Sequence, residues 1–387
     1  MLKRDPSPVA ERVYDMGVIH HEINDSNLDL QKQLVVADRL KYYSRIAREY
    51  HGVNNDDDFR RYIATSRQAV DWSNPALMMM LKDVPALSEW VKLIPTAAAL
   101  VPLESPLSAH YPNGKSISAG ARDFFINGID ARGVRYRNTL ASNLYMERAE
   151  NHIEKFGVSS KFTSGSFGCG AGNSVLNGLE ELRLAYDDKV VAEGLFLDLD
   201  RNALKMVKEG ARARGVDAMV ETRLHNVLDP RGIFAPRVAR NGDLATSLSI
   251  NGLRGERENA RVFPQFDLID AIGLAEYLKI EDSGYYRYGR EELSRETAGL
   301  VTFVRNCYNA LKPGGSLLVG NMLYDSRDTT NIETAILTIG WPHIQPRTME
   351  EMGWAFQRAV PNVQVTAHMT QDCVYPIYEI QKPTMSI

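Results

Sequence analysis

Three glycines at alternate positions, Gly168, Gly170 and Gly172, close the stretch Phe162-Thr-Ser-Gly-Ser-Phe-Gly-Cys-Gly-Ala-Gly172. Glycine tolerates positive φ and lets a ligand lie against main-chain N–H groups, near the positive end of a helix that starts just beyond. The competing role is a strand-to-helix turn made only for packing. An acid further along favours the ligand. Asp198 lies near the end of Val190-Val-Ala-Glu-Gly-Leu-Phe-Leu-Asp-Leu-Asp200, twenty-six positions after Gly172, where a nucleoside ribose meets a carboxylate that accepts its hydroxyl hydrogens. Asp200 is placed to cap the helix that follows, through Ala203, Leu204, Met206 and Val207. A cap role for both acids is the plainer alternative. Asn226, in His225-Asn-Val-Leu-Asp229, can reach an adenine edge at the same mouth, and His225 is either a base or a surface cap.

These residues need elements to hold them. The run into Gly168 reads as a strand, and Val175, Leu176, Leu179, Leu182 and Leu184 fall mostly on one face of a following helix. A second strand ends at Asp198 and a short third ends near His225. Phe266-Asp-Leu-Ile-Asp-Ala-Ile-Gly-Leu-Ala-Glu-Tyr-Leu278 supplies a fourth parallel strand, then a turn and helix. An apolar helix from Leu300, a Pro313-Gly-Gly stop and Ser316-Leu-Leu-Val-Gly320 supply a fifth. Repeated strand–helix alternation predicts a doubly wound, mostly parallel sheet with helices on both faces. Two alternating runs, Val363-Gln-Val-Thr-Ala-His-Met369 and Val374-Tyr-Pro-Ile-Tyr-Glu-Ile-Gln381, predict a C-terminal antiparallel hairpin. Residues 230–264 are polar, arginine-rich and longer than an ordinary connection; a lid, a partner surface and a disordered segment all remain open.

Residues 1–125 read as helical, forming a cap or substrate-side domain ahead of a catalytic domain at 126–387. Asp25 or Ser26 caps a first helix with Leu30, Leu34, Leu40, Tyr43 and Ile46, ended by Gly52. Asp56, Asp57 and Asp58 open a second. A third follows Ser73-Asn-Pro75 and carries the run Met78, Met79, Met80, read as core rather than an adaptable pocket. A fourth surrounds Trp90. Residues 102–120 read as a linker or lid base. A long polar helix then runs from Asp130 to Lys155. Phe124, Phe125 and Tyr136 either close over a ligand or pack the cap.

The 387 residues, with 44% hydrophobic and 24% charged, support a full core and exclude a mainly disordered chain. Net charge is −4 with no basic block, which argues against a nucleic-acid partner. No apolar run reaches the length of a membrane span and Met1-Leu-Lys-Arg-Asp-Pro has no signal core, so the expectation is a soluble, cytoplasmic protein. Cys169, Cys307 and Cys373 make no Cys-x-x-Cys pair, and no metal site or disulfide framework is implied. Cys169 reads as a small filler beside its strand. Oligomeric state is open.

Phe-Gly-Cys-Gly-Ala-Gly, the Leu-Asp-Leu-Asp strand end, Phe-Asp-Leu-Ile-Asp-Ala-Ile-Gly, Leu-Lys-Pro-Gly-Gly-Ser-Leu-Leu-Val and the closing hairpin occur in this order across residues 161–387. In this the sequence resembles the class I S-adenosylmethionine-dependent methyltransferases. The resemblance implies a Rossmann-like fold and S-adenosyl-L-methionine as cofactor. It implies that Gly168, Gly170 and Gly172, with Phe167 and Asn173 beside them, pass beneath the methionine moiety. Asp198 would then take the ribose, with Leu199, Asn226 and Val227 around the adenosine, and Ala271 and Gly273 would border the sulfonium. Two departures stand out: Asn226 replaces the acid common beside adenine, and the 230–264 segment is long.

Such a site holds a donor and an acceptor in line. A hydroxyl, indole or protonated amine acceptor also needs a base, whereas a carboxylate does not. Candidates follow the fourth and fifth strands: Glu276, Tyr277, the tyrosine-rich run Tyr285-Tyr-Arg-Tyr288, and Trp341-Pro-His343 with Arg347. His343 is the foremost base candidate; Tyr277 also reads as a packing residue. The expected function is methyl transfer to a small-molecule acceptor. Two alternatives share the motifs: transfer or cyclisation of the aminocarboxypropyl group with release of methylthioadenosine, and a non-catalytic scaffold that retains the fold.

Overall fold

A computed structural model describes residues 16–65, 69–187, 189–229, 232–233, 265–282, 298–326 and 329–384, together with the backbone of 287–288 and 291–292. The side chains at 285–288, and the 230–264 segment apart from residues 232 and 233, lie outside the described residues.

Among the described residues the first element is a strand, β1 (Gly17–His21), where the sequence reads as helical. Its backbone pairs in parallel with a strand near the C-terminus, Gly17 opposite Thr366 and His21 opposite Thr370. That partner lies about 350 residues away, beyond any local pattern. Then come α1 (Leu30–His51), α2 (Asp56–Thr65), α3 (Pro75–Asp83), α4 (Leu87–Val91), α5 (Val101–Glu104), α6 (Ala119–Asn127) and α7 (Ile129–Phe156). The cap of α1 is Asp29, not Asp25 or Ser26: its carboxylate accepts from Gln31 and Lys32 N–H groups. Asp25 instead pairs with Arg135 at 3.0 Å. Asp56, Asp57 and Asp58 occupy the first turn of α2, and Asn74 caps α3 ahead of Pro75.

The remaining elements are β2 (Phe162–Phe167), α8 (Asn173–Tyr186), β3 (Ala192–Asp198), α9 (Arg201–Arg214), β4 (Val220–Leu224), β5 (Phe266–Ala271) and the two-residue strands β6 (Arg287–Tyr288) and β7 (Glu291–Glu292). They continue with α10 (Leu300–Ala310), β8 (Leu311–Gly320), α11 (Thr330–Glu333), a π-helical segment Thr334–Ile339, α12 (Met349–Ala359), β9 (Val365–Thr370) and β10 (Ile377–Gln381).

One eight-stranded sheet runs in the order β1-β9-β10-β8-β5-β2-β3-β4. Strands β4, β3, β2, β5 and β8 pair in parallel, and β10 is antiparallel to both β8 and β9. This is the doubly wound sheet with a terminal antiparallel hairpin. Phe162 to Phe167 are all buried, as a central strand covered on both faces requires. One face packs on α7, α8 and α9 through Leu144, Tyr145, Leu176, Leu179, Phe196 and Val207. The other packs on α10 and α12 through Phe303, Val304, Met352 and Phe356. A third core joins the N-terminal helices to the 322–344 region through Tyr43, Leu77, Trp90, Phe125, Ile336 and Trp341.

Details differ from the sequence reading where tertiary packing decides. Leu184, two residues past Leu182, falls off the buried stripe of α8 and is 62% exposed, and Met78 is exposed while Met80 is fully buried. Phe125 and Tyr136 are core residues, and Phe124 packs its ring on Trp90 at 6.0 Å. In the 102–120 stretch, Leu103, Tyr111 and Ile117 are buried in the same core.

Candidate functional site

The loop after β2 is pinned to the end of β3. Gly168 N and Cys169 N both donate to Leu197 O, at 2.8 and 3.2 Å, and Gly170 N donates to the Asp198 carboxylate at 3.0 Å. Gly170 and Gly172 have φ of 52° and 66°, the left-handed region that favours glycine. At Gly172 a Cβ would also stand 2.7 Å from the Phe196 ring, so a side chain there would force the loop off the strand. Gly172 immediately precedes α8, whose N-terminus therefore faces the loop.

The other Asp198 oxygen accepts from Asp200 N at 2.8 Å. Burial pushes the Asp198 carboxyl above its usual range, opposed by these N–H donors. Asp200 caps α9 by accepting from Asn202 N, so one acid lines the cavity and the other is a cap. Asp270, near the end of β5, is buried and accepts from Ser174 Oγ at 2.8 Å and from Ile272 N at 3.1 Å. Burial raises its carboxyl too, against the pull of those donors and of Arg137.

A cavity of about 370 Å³ lies over this loop. Phe167, Gly168, Gly170, Gly172, Asn173, Asp198, Leu199, Val227, Gly273, Tyr277 and His343 all line it. Four of the sequence candidates, Asn226, Ala271, Glu276 and Arg347, do not. Asn226 turns its carboxamide onto Leu228 N at 3.0 Å, a local turn that a short polar side chain readily makes. Ala271 is buried within β5. Glu276 is buried behind the wall, 3.6 Å from Arg137 Nη1, its carboxyl raised by burial against the pull of that guanidinium.

Tyr277 and His343 come from distant parts of the chain. Trp341 Nε1 donates to Tyr277 Oη at 3.0 Å, which joins the turn after β5 to the segment after the π-helix. Arg347 stands behind this turn, where Nη1 donates to Ala275 O at 2.9 Å and Nη2 to Leu278 O. Its place is support, outside the cavity. Burial, then the nearby Lys279 charge, lowers the His343 pKa. The imidazole is therefore neutral at pH 7. Cys169 lines the cavity, partly buried, and the burial raises its thiol pKa well above normal, which disfavours a thiolate nucleophile.

The sequence reading missed Glu104, Arg137, Asn138, Ser174 and Asp270, all in the cavity wall. Arg137 left a signal: it sits between Val134 and Leu140 on the buried stripe of α7, where a cation needs a reason. Asp270 left another, as an acid ending a buried strand. Glu104 left none. Among the described residues no cluster of metal-binding side chains occurs, and no helix is long and apolar enough to cross a membrane.

No family model matches the chain, and no curated protein matches it. Solved structures do. A possible exported protein from Bordetella parapertussis is 14% identical with a TM-score of 0.52, covering 90% of this chain and 97% of its own. An O-methyltransferase family protein from Burkholderia thailandensis is 12% identical with a TM-score of 0.42, covering 92% and 96%. An O-methyltransferase family 2 protein from Planctomyces limnophilus, in complex with apigenin, is 12% identical with a TM-score of 0.42, covering 95% and 100%. The strand order, the antiparallel last strand and the glycine loop on β2 define the fold as that of the class I S-adenosylmethionine-dependent methyltransferases.

Proposed function

We propose that this protein is an S-adenosylmethionine-dependent methyltransferase acting on a small molecule. One observation carries the reading: the glycine loop, locked to Asp198, shares a single cavity with Tyr277, Trp341 and His343. The residues fit the nucleoside. Asp198 is fixed by two backbone donors and its oxygens retain lone pairs for ribose hydroxyls. The positive-φ glycines keep Cβ atoms away from the surface on which the ligand lies. When bound, S-adenosylmethionine supplies an activated methyl carbon and a neutral thioether leaving group.

The chain's own part is to hold and orient. The rigid loop fixes the nucleoside, and the Leu274, Trp341 and Pro342 wall offers an apolar face to the acceptor and displaces water from it. His343 accepts the acceptor's proton at a ring nitrogen, and Tyr277, whose Oη accepts from Trp341 Nε1, lines the same cavity.

The test is incubation of purified protein with S-adenosylmethionine and a panel of hydroxyl, amine and carboxylate acceptors, with products read by mass. S-adenosylhomocysteine together with a product heavier by one methylene supports methyl transfer. Methylthioadenosine would mean aminocarboxypropyl transfer instead, and failure to bind either nucleoside by calorimetry would overturn the reading. Asp198→Ala should weaken nucleoside binding at least about tenfold, the loss of roughly 1.4 kcal/mol expected for hydrogen bonds to a charged group.

A further inference from the structure

Arg137 is an anomaly within the cavity wall. It is 3% exposed, yet Nε and Nη1 have no hydrogen-bond partner. Its surroundings offer charge without good hydrogen-bond geometry: Glu276 Oε1 stands 3.6 Å from Nη1, and the guanidinium lies 4.7 Å from the centre of the Tyr375 ring. That ring's hydroxyl is committed to Asp130 at 2.6 Å. A buried guanidinium with unmade N–H bonds carries a desolvation penalty that a carboxylate relieves, because its two oxygens match the guanidinium's parallel donors.

The opposite charge is close at hand. Glu104, at the end of α5, lines the same cavity and is held by Asn173 Nδ2, the first residue of α8. Asn173 is oriented in turn by Arg214, whose Nη2 donates to Asn173 Oδ1 at 3.2 Å. Besides Asp198 and Asp270, the cavity wall over the glycine loop thus presents a cation and a further acid, both supplied by helices that precede β2.

We propose that Arg137 and Glu104 form a zwitterion clamp for the amino-acid end of the nucleoside, Arg137 taking the α-carboxylate and Glu104 the α-ammonium. This rests on the nucleoside reading above. An acceptor carboxylate would call for the cation alone, whereas an amino-acid tail calls for the pair. The clamp makes α5 and α7 half of the nucleoside site, and it selects against nucleosides that lack the tail.

Calorimetry with two probes tests this without turnover: S-adenosylhomocysteine, which carries the amino-acid tail, and 5′-methylthioadenosine, which lacks it. Wild type should bind the first at least about tenfold tighter, since each hydrogen bond to a charged group contributes on that order. In Arg137→Gln that gap should shrink to within about threefold, with 5′-methylthioadenosine affinity preserved, and Arg137→Lys should recover part of it. Methylthioadenosine binding also reports an intact fold. If Arg137→Gln does not fold, Glu104→Gln carries the same test, with the same selective loss expected. A gap that persists in the folded variant, or no gap in wild type, overturns the clamp. Binding of neither probe by wild type overturns the nucleoside reading itself.

Discussion

Glu379 of β10 lies at the centre of a charged chain drawn from four elements. Arg148 of α7 donates to both its oxygens, at 2.6 and 2.7 Å; His368 of β9 lies 3.2 Å away; His21 of β1 reaches His368 at 3.0 Å. Burial by itself would raise the Glu379 carboxyl, but the bonds from His368 and Arg148 outweigh it and hold it at about 2, against an ordinary 4.5. Its folded pKa is depressed, so its contribution is complete above the unfolded value and fades as pH falls toward 2. A gap of that size corresponds to about 3 kcal/mol at neutral pH, of which roughly 1.4 kcal/mol is gone by pH 3.5. Glu379→Gln cannot titrate. Urea denaturation of both proteins from pH 6 to pH 3.5 should therefore show the wild type losing about 1.4 kcal/mol more than the variant over that window. The variant should itself be less stable at pH 7 by about 3 kcal/mol or more, since Arg148 is left with half its partner. Parallel pH curves for the two proteins would refute the reasoning, because Glu379 is the one carboxyl that the substitution removes.

Gly178→Ala should destabilise by about 1–3 kcal/mol in the same assay, because its Cβ would stand 2.4 Å from Tyr145 Cδ1, in the tight packing of α7 on α8. Gly172→Ala should weaken S-adenosylhomocysteine binding by about tenfold or more, through backbone strain and the Phe196 contact. If His343 is the base, the log of kcat/KM against pH should fall on the acid side with a midpoint below 6.5, the direction in which burial and Lys279 move it; His343→Gln should remove that limb. Arg347→Lys should lower kcat for acceptor turnover while nucleoside affinity stays within about threefold, because the turn carrying Tyr277 loses one of two carbonyl partners.

The parts of the fold legible in the sequence are those whose cause is local. The glycine loop, Asp200 as a cap and the alternating β9 and β10 runs each declare themselves within about a dozen residues. What escaped is set by partners far along the chain. Strand β1 exists because β9 offers it an edge, and Arg137 and Glu104 acquire meaning only when α5 and α7 pack onto the loop after β2. Asn226 shows the reverse: its position at a strand end suggests a ligand contact, whereas its side-chain oxygen accepts from the nearby backbone at Leu228 N.

This division bears on where specificity resides. Under the proposed function the sheet and its loop hold the nucleoside, whereas Ala69, Pro95, Ala97, Leu100, Trp341 and Pro342 of the cavity wall come from segments joined to the N-terminal core. Trp341 ties the two together: its ring is 6.3 Å from Trp90 of α4 and its N–H donates to Tyr277 on the sheet side. Close-packed cores transmit changes in volume. Under the proposed function, a substitution at Trp90 should therefore alter which acceptors are turned over through the position of Trp341, although Trp90 itself is absent from the cavity wall. The same change should leave Gly170 and Asp198, and with them the ribose contact, where they are.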